Sequence, residues 1–170
     1  MNTNFKFCPF CSHSLRWRKI DGCLRQICFR CGWIHYKNPL PVAVGVAIDK
    51  EGKILLAKRN VEPGKNKWAL PGGFVEWEED PREACLRELR EETKIEGEIA
   101  NLIGVYIQKT KKYGTILAIA YLVRVSKDRI FVNNELKEAR FFRKKEIPYI
   151  PFSSHRRILK DVERLKSLEF

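Results

Sequence analysis

Gly73-Phe-Val-Glu-Trp-Glu-Glu79-Asp-Pro-Arg-Glu-Ala-Cys-Leu-Arg87-Glu88-Leu-Arg-Glu91-Glu92-Thr-Lys-Ile95 combines a tight Gly/Pro-bounded turn with a run of glutamates. Its second half predicts a helix over Pro81–Thr93, with Asp80 as N-cap and Pro81 in the first turn. At about 100° per residue, Glu88, Glu91 and Glu92 fall within an arc of about 100°. Cys85, Leu86, Leu89 and Thr93 occupy the neighbouring arc. One stripe can therefore pack on a sheet while three carboxylates converge at its edge. Carboxylates that close repel one another, and an isolated helix gains nothing from them. A bound divalent cation removes the penalty, and oxygen donors without His or Cys suit Mg²⁺ or Mn²⁺ rather than zinc. By itself, a Glu-rich face is more often solvated surface, so the surroundings have to decide.

Upstream, residues 42–48 and 53–58 read as two short apolar strands. Trp68-Ala-Leu-Pro-Gly-Gly-Phe74 reads as a Gly/Pro-rich loop leading into the helix. Downstream, strands are expected over 97–108 and 115–125, joined by the lysine-rich turn Lys109-Thr-Lys-Lys-Tyr-Gly114. A last short strand is expected at 139–142. Residues 154–168 predict a helix with Ile158, Val162 and Leu165 on one face. Strands interleaved with helices make this an α/β chain.

The first 36 residues follow a different logic. Cys8-Pro-Phe-Cys11 and Cys28-Phe-Arg-Cys31 are paired knuckles, the spacing of a four-thiolate zinc site. Between them, two alternating segments flank Asp21-Gly22, a strong hairpin signal. A ribbon of about 40 residues cannot bury enough core to fold alone, so structural Zn²⁺ on Cys8, Cys11, Cys28 and Cys31 is expected to supply the stability. Cys23 and Cys85 are left over as free thiols, Cys85 as a buried helix residue. The expected organisation is a zinc ribbon over 1–36, a proline-stiffened linker over 37–41 and the larger domain over 42–170.

Charge narrows the partners. Thirty-three Lys plus Arg against 21 Asp plus Glu give +12 in 170 residues, a balance that favours nucleotides, nucleic acid or other phosphates. Residues 1–41 hold seven basic side chains against Asp21 alone. The longest apolar run, 116–123, is far short of the roughly 20 residues that span a bilayer. The first residues show no apolar core of a signal peptide, so the expectation is a cytoplasmic protein with no membrane partner.

The stretch from Gly73 to Ile95 resembles the Nudix box, G-x5-E-x7-R-E-U-x-E-E-x-G-U, in which U is a bulky aliphatic residue. Gly73, Glu79, Arg87, Glu88, Leu89, Glu91, Glu92 and Ile95 stand in register, eight of nine fixed positions. The chain is thereby identified as a member of the Nudix hydrolase superfamily. That resemblance implies an α/β/α sandwich with a mixed sheet behind the zinc ribbon. It also implies Mg²⁺-dependent (or Mn²⁺-dependent) hydrolysis of a nucleoside diphosphate linked to another group. On matching positions it makes Glu88, Glu91 and Glu92 metal ligands, with the Gly72 carbonyl as a further oxygen. Glu79 supports or joins them, and Arg87 orients a carboxylate. The proton acceptor is left open among a box glutamate, Glu135 and Glu138.

A four-Cys ribbon before such a domain is similar to the branch holding NADH pyrophosphatases and plant-type FAD pyrophosphatases. The similarity implies FAD, ADP-ribose or NADH as substrate, AMP as one product and a homodimer. Two rival readings are an RNA-acting enzyme that removes an NAD cap while the basic ribbon and Lys109, Lys111 and Lys112 hold the RNA chain, and a non-catalytic nucleotide sensor. The sequence departs from the box at Lys94, where the family has glycine. Either Lys94 takes a strained left-handed conformation, or the helix continues to Gly97. In Glu76-Trp-Glu-Glu79, Trp77 replaces a turn proline and is expected at the rim of the metal site, either as an exposed turn residue or as a surface on which a base stacks. Trp77 or Tyr113 is expected to stack on a base, with Arg59 and Lys109 also touching substrate.

Overall fold

The computed structural model describes residues 4–126 and 129–166, and divides between Pro39 and Leu40 into two compact units. In the first unit, β1 (Arg16–Ile20) and β2 (Cys23–Ile27) pair antiparallel across Asp21-Gly22. Both turn residues have positive φ, 50° and 77°, the two-residue geometry whose twist matches that of the flanking strands. A third strand, β3 (Ile34–His35), pairs with β2 and went unforeseen, because two residues carry no alternation to read.

The second unit is built on a seven-stranded sheet. Its strands are β4 (Leu40–Ile48), β5 (Ile54–Arg59), β6 (Trp68–Ala69), β7 (Gly72–Phe74), β8 (Gly97–Thr110), β9 (Gly114–Val125) and β10 (Leu136–Phe142). The order is β10-β5-β4-β9-β8, with β6 beside β5 and β7 beside β4. Only β4 and β9 run parallel, so the sheet is mixed. Residues 68–74, expected as a loop, instead form β6 and β7, too short for periodicity to betray them. Lys109, expected in the turn, is the penultimate residue of β8.

Two helices cover the two faces. Along β4 the side chains alternate: Ala43 and Ala47 face α1 (Pro81–Thr93), while Val44 and Val46 belong to the core beneath α2 (Ser153–Lys166). The α1 core also holds Leu55, Cys85, Leu89, Ile95 and Val123, and the α2 core holds Leu56, Leu70, Phe142, Ile150, Ile158 and Val162. Cys85 is fully buried, as expected. A Cβ on Gly45 would sit 3.2 Å from its sulfur, so glycine in β4 is what lets α1 approach so closely. Residue 168 and the side chain of Leu165, expected in the second helix, lie outside the described residues. Among the described residues no helix is long and apolar enough to cross a membrane.

The ends of α1 settle the question raised by Lys94. Asp80 accepts the Arg82 N–H at 2.7 Å and Pro81 opens the helix. At the other end Lys94 adopts φ 59°, ψ 16° and donates its N–H to the Arg90 carbonyl, so the helix stops at Thr93 and lysine carries the left-handed conformation. Lys94→Gly should therefore raise stability by ~1 kcal/mol. Thermal denaturation should show a rise of a few degrees in Tm.

Candidate active site and metal centres

A cavity of about 650 Å³ is lined by Gly72 and Gly73 of β7, by Glu88, Glu91 and Glu92 of α1, and by Arg59 at the end of β5. Asn133 and Glu135, just before β10, and Phe152 and His155, at the start of α2, line it too. The short pairing of β7 with β4, Val44 opposite Gly72 and Val42 opposite Phe74, lays the Gly-Gly segment against the helix. A Cβ on Gly73 would collide with the Glu88 carboxylate, so a side chain there would push that carboxylate out of its place.

Arg87 ties the site together. Its Nε donates to Glu79 Oε1 at 2.7 Å and its Nη2 to Glu79 Oε2 at 3.0 Å, a two-pronged ion pair. Nη2 also donates to the Phe74 carbonyl at 3.0 Å, and Nη1 to Glu88 at 2.9 Å and Glu91 at 3.3 Å. These bonds hold the Glu79 carboxyl below the usual carboxylate range. Glu79 also accepts the Glu76 N–H at 3.0 Å, which closes the turn 76–79, and Glu78 within that turn takes φ 63°.

Two of the carboxylates facing the cavity, Glu88 and Glu92, are pushed the other way. Burial raises Glu88, against the pull of Arg87. Glu92, only 5% exposed, is driven up to about 8, first by burial and then by the charge of Glu88, although its Oε2 accepts the Gly72 N–H at 3.2 Å. Buried carboxylates that disfavour their own anions are the donor set a hard divalent cation satisfies. In metal-free protein Glu92 keeps its proton up to about pH 8, whereas an unfolded glutamate loses it near about pH 4.3. Between these values the folded state binds more protons, so stability falls as pH rises. Protein freed of Mg²⁺ and Mn²⁺ by dialysis, with its zinc retained, should thus show a Tm that declines from about pH 5 to about pH 8. Glu92→Gln should flatten that decline.

Other expected contacts divide. Tyr113 lines the cavity, its ring edge-on to Phe74 at 5.1 Å, with Lys112 Nζ 4.9 Å from the ring centroid. Arg59 lines it as well, and its Nε donates to the Pro63 carbonyl at 2.8 Å. Trp77 does not: at 90% exposure it stands in solvent at the corner of the turn whose other end is held by Arg87, which corrects its expected place at the rim. Lys109 and Lys111 also stay outside, and Lys112 alone of the three reaches the cavity. Of the two loop glutamates, Glu135 lines the cavity while Glu138, within β10, pairs with Arg140 at 3.5 Å.

His155, Phe152 and Gln108 went unforeseen. His155 Nδ1 accepts the Leu70 N–H at 3.0 Å, so the neutral ring carries its proton on Nε2. Burial, aided by Arg59, pulls its pKa down to about 4. Gln108 Oε1 accepts from both the N–H and the hydroxyl of Ser154, which leaves its amide hydrogens as donors. No local spacing links residues 46 or 85 positions apart, and only the sheet brings them together.

In the first unit the four knuckle sulfurs lie within 4.8 Å of one another. Cys8 and Cys31 are 3.6 Å apart and Cys11 and Cys28 3.4 Å, close to the ~3.8 Å edge of a tetrahedron with ~2.3 Å zinc–sulfur bonds. Such separations are far beyond a disulfide. The knuckles repeat the same turn: Ser12 N–H to Cys8 carbonyl and Gly32 N–H to Cys28 carbonyl, each 2.9 Å. Backbone N–H groups of Cys31 and Arg30 pull the Cys28 thiol down to about 6, whereas Cys31, despite the Trp33 N–H, is pushed up to about 12 by burial and the neighbouring thiols, so the four sulfurs do not ionise together without a metal. The cluster fits Zn²⁺.

Comparison with known proteins agrees with this geometry. The family model of the NUDIX domain matches residues 39–162. An ADP-ribose pyrophosphatase of Methanocaldococcus jannaschii is 39% identical over 78% of this chain and 78% of its own. The NAD-capped RNA hydrolase NudC of Salmonella heidelberg is 29% identical over 97% of this chain, which spans only 63% of that protein. A solved structure of a NUDIX hydrolase from Nitrosomonas europaea superimposes with a TM-score of 0.77 at 30% identity, covering 96% of this chain and 91% of the other.

Proposed function

The chain belongs to the NUDIX family, and from that premise we propose that it hydrolyses the diphosphate bond of a nucleotide derivative of the ADP-ribose, FAD or NADH class, releasing AMP. The observation that carries this reading is one cavity lined by both carboxylates and aromatic rings. One wall offers Glu88, Glu91 and Glu92, while Phe74, Tyr113 and Phe152 line it as well. A diphosphate needs the first and a flat ring suits the second. The likeness to an ADP-ribose pyrophosphatase over most of both chains supports the same substrate class.

Glu88, Glu91 and Glu92, with the Gly72 carbonyl, would hold Mg²⁺ or Mn²⁺. When bound, such ions neutralise the diphosphate and lower the pKa of the attacking water. Arg87 keeps Glu79, Glu88 and Glu91 in one orientation, so the anionic wall is arranged before substrate arrives. Glu135, inside the cavity, is the loop candidate for taking the water's proton. Arg59 and Lys112 meet phosphate or ribose oxygens, and Tyr113 stacks on the ring. The ribbon's Zn²⁺ is structural.

Products from FAD, ADP-ribose, NADH and NAD-capped RNA, compared in one assay with Mg²⁺ and with Mn²⁺, test the reading. AMP from at least one of the three small substrates is the expected result, and Tyr113→Ala should raise its KM about five- to 150-fold, the equivalent of ~1–3 kcal/mol of stacking. Failure to turn over any of them with either cation would overturn it.

A further inference from the structure

The two faces of the ribbon differ sharply. Cross-strand register puts Trp17 opposite Gln26 and Gln26 opposite His35 on one face. That face is closed by the N-terminal segment: the Gln26 side chain accepts the Phe5 N–H at 3.0 Å and donates to the Phe5 carbonyl at 2.6 Å. The Phe5 ring then packs edge-on to His35 at 4.8 Å, and Trp33 stacks on His35 at 5.7 Å. Gln26 is accordingly buried.

The opposite face carries Arg16, Arg18 and Arg25. Arg18 stands directly across from Arg25, and Arg16 lies two residues along the same strand. Arg16 and Arg18 are exposed. Like charges directly opposed on a sheet destabilise it. Among the described residues no carboxylate forms an ion pair with any of the three. Beside them the Arg25 guanidinium lies 4.5 Å over the Tyr36 ring, and that ring is still 49% exposed. Arg25 Nε is buried without a hydrogen-bond partner. Four thiolates around one Zn²⁺ would leave about −2, yet the ribbon stays strongly basic.

Three uncompensated guanidiniums clustered on one face beside an open aromatic ring match a polyanion that also carries flat bases. We propose that this face binds single-stranded nucleic acid, the arginines meeting successive phosphates and Tyr36 receiving a base. A single strand is favoured over a duplex because only an unpaired base has a face free to stack. Neither the cavity nor any residue lining it takes part, so this binding stands or falls separately from the hydrolytic reading.

The test uses the full zinc-loaded chain and a fluorescein-labelled 12-nucleotide RNA of mixed sequence, followed by anisotropy from about 50 to 200 mM NaCl. Three phosphate contacts on a single strand predict a slope of log K against log [salt] near about −2. The triple variant R16Q/R18Q/R25Q should weaken binding at least tenfold and flatten the slope while keeping one zinc per chain. Tyr36→Leu should weaken binding about fivefold and leave the slope unchanged. The proposal is overturned if the wild-type chain does not bind at the lowest salt, or if the zinc-loaded triple variant binds as tightly. Equal affinity for a duplex of the same sequence, or tighter binding to anionic lipid vesicles, would overturn it too.

Discussion

Glu92→Gln should lower kcat by at least about a hundredfold at saturating Mg²⁺ while the protein remains folded. Glu92 is the most deeply buried of the cavity carboxylates, and its neighbours make the metal-free anion unfavourable. A cation that must share this space with Glu88 therefore gains most from Glu92, and an amide removes that charge at nearly constant shape. The Gly72 N–H still finds an amide oxygen, so the packing of β7 on α1 should survive. Glu91→Gln should be similarly damaging to turnover. Glu79→Gln should be milder, because Glu79 acts through Arg87 rather than from the cavity wall. Steady-state kinetics with a metal titration checks all three, and wild-type turnover in the Glu91 or Glu92 variant would remove that residue from the ligand set.

Loss of zinc should unfold residues 4–39 while the sheet of the larger unit persists. Among its described residues the first unit has only Cys8 and Cys28 as fully buried apolar residues, and both are knuckle cysteines. Binding of structural zinc is worth roughly 10–16 kcal/mol in peptides of this kind, more than so small a core provides. Cys28→Ser, which replaces the sulfur most readily ionised, should give zinc-free protein with exposed Trp17 and Trp33. Elemental analysis and tryptophan emission read the two effects. A Cys28→Ser chain that retains one zinc and a native emission spectrum would overturn the assignment.

The residues that announced themselves in the sequence are those whose partners lie close along the chain. The α1 caps, the glutamate arc, the Asp21-Gly22 turn and the two knuckles all depend on spacings of a few residues, and each appears in the structure where local chemistry puts it. Trp77 takes the exposed-turn alternative, because proximity in sequence says nothing about which side of a turn a side chain leaves from. The Arg87 bonds to Glu79 fold that turn inward at its end and leave its corner in water. His155, Phe152 and Gln108 were invisible for the opposite reason: their neighbours are set by which strands pair. The strands β6 and β7 lie below the length at which a period of two can be recognised.

The parallel pairing of β4 with β9 joins Leu40–Ile48 to Ile116–Arg124, so the centre of the sheet cannot close until a chain segment more than sixty residues long has been gathered in. Such non-local pairing is slow to form. The ribbon, by contrast, makes its strand contacts within a dozen residues of one another. During synthesis the N-terminal unit can thus reach its final form, given metal, well before the cavity exists. The hydrolytic wall, although its helix is legible from one short run of sequence, is among the last features to be assembled.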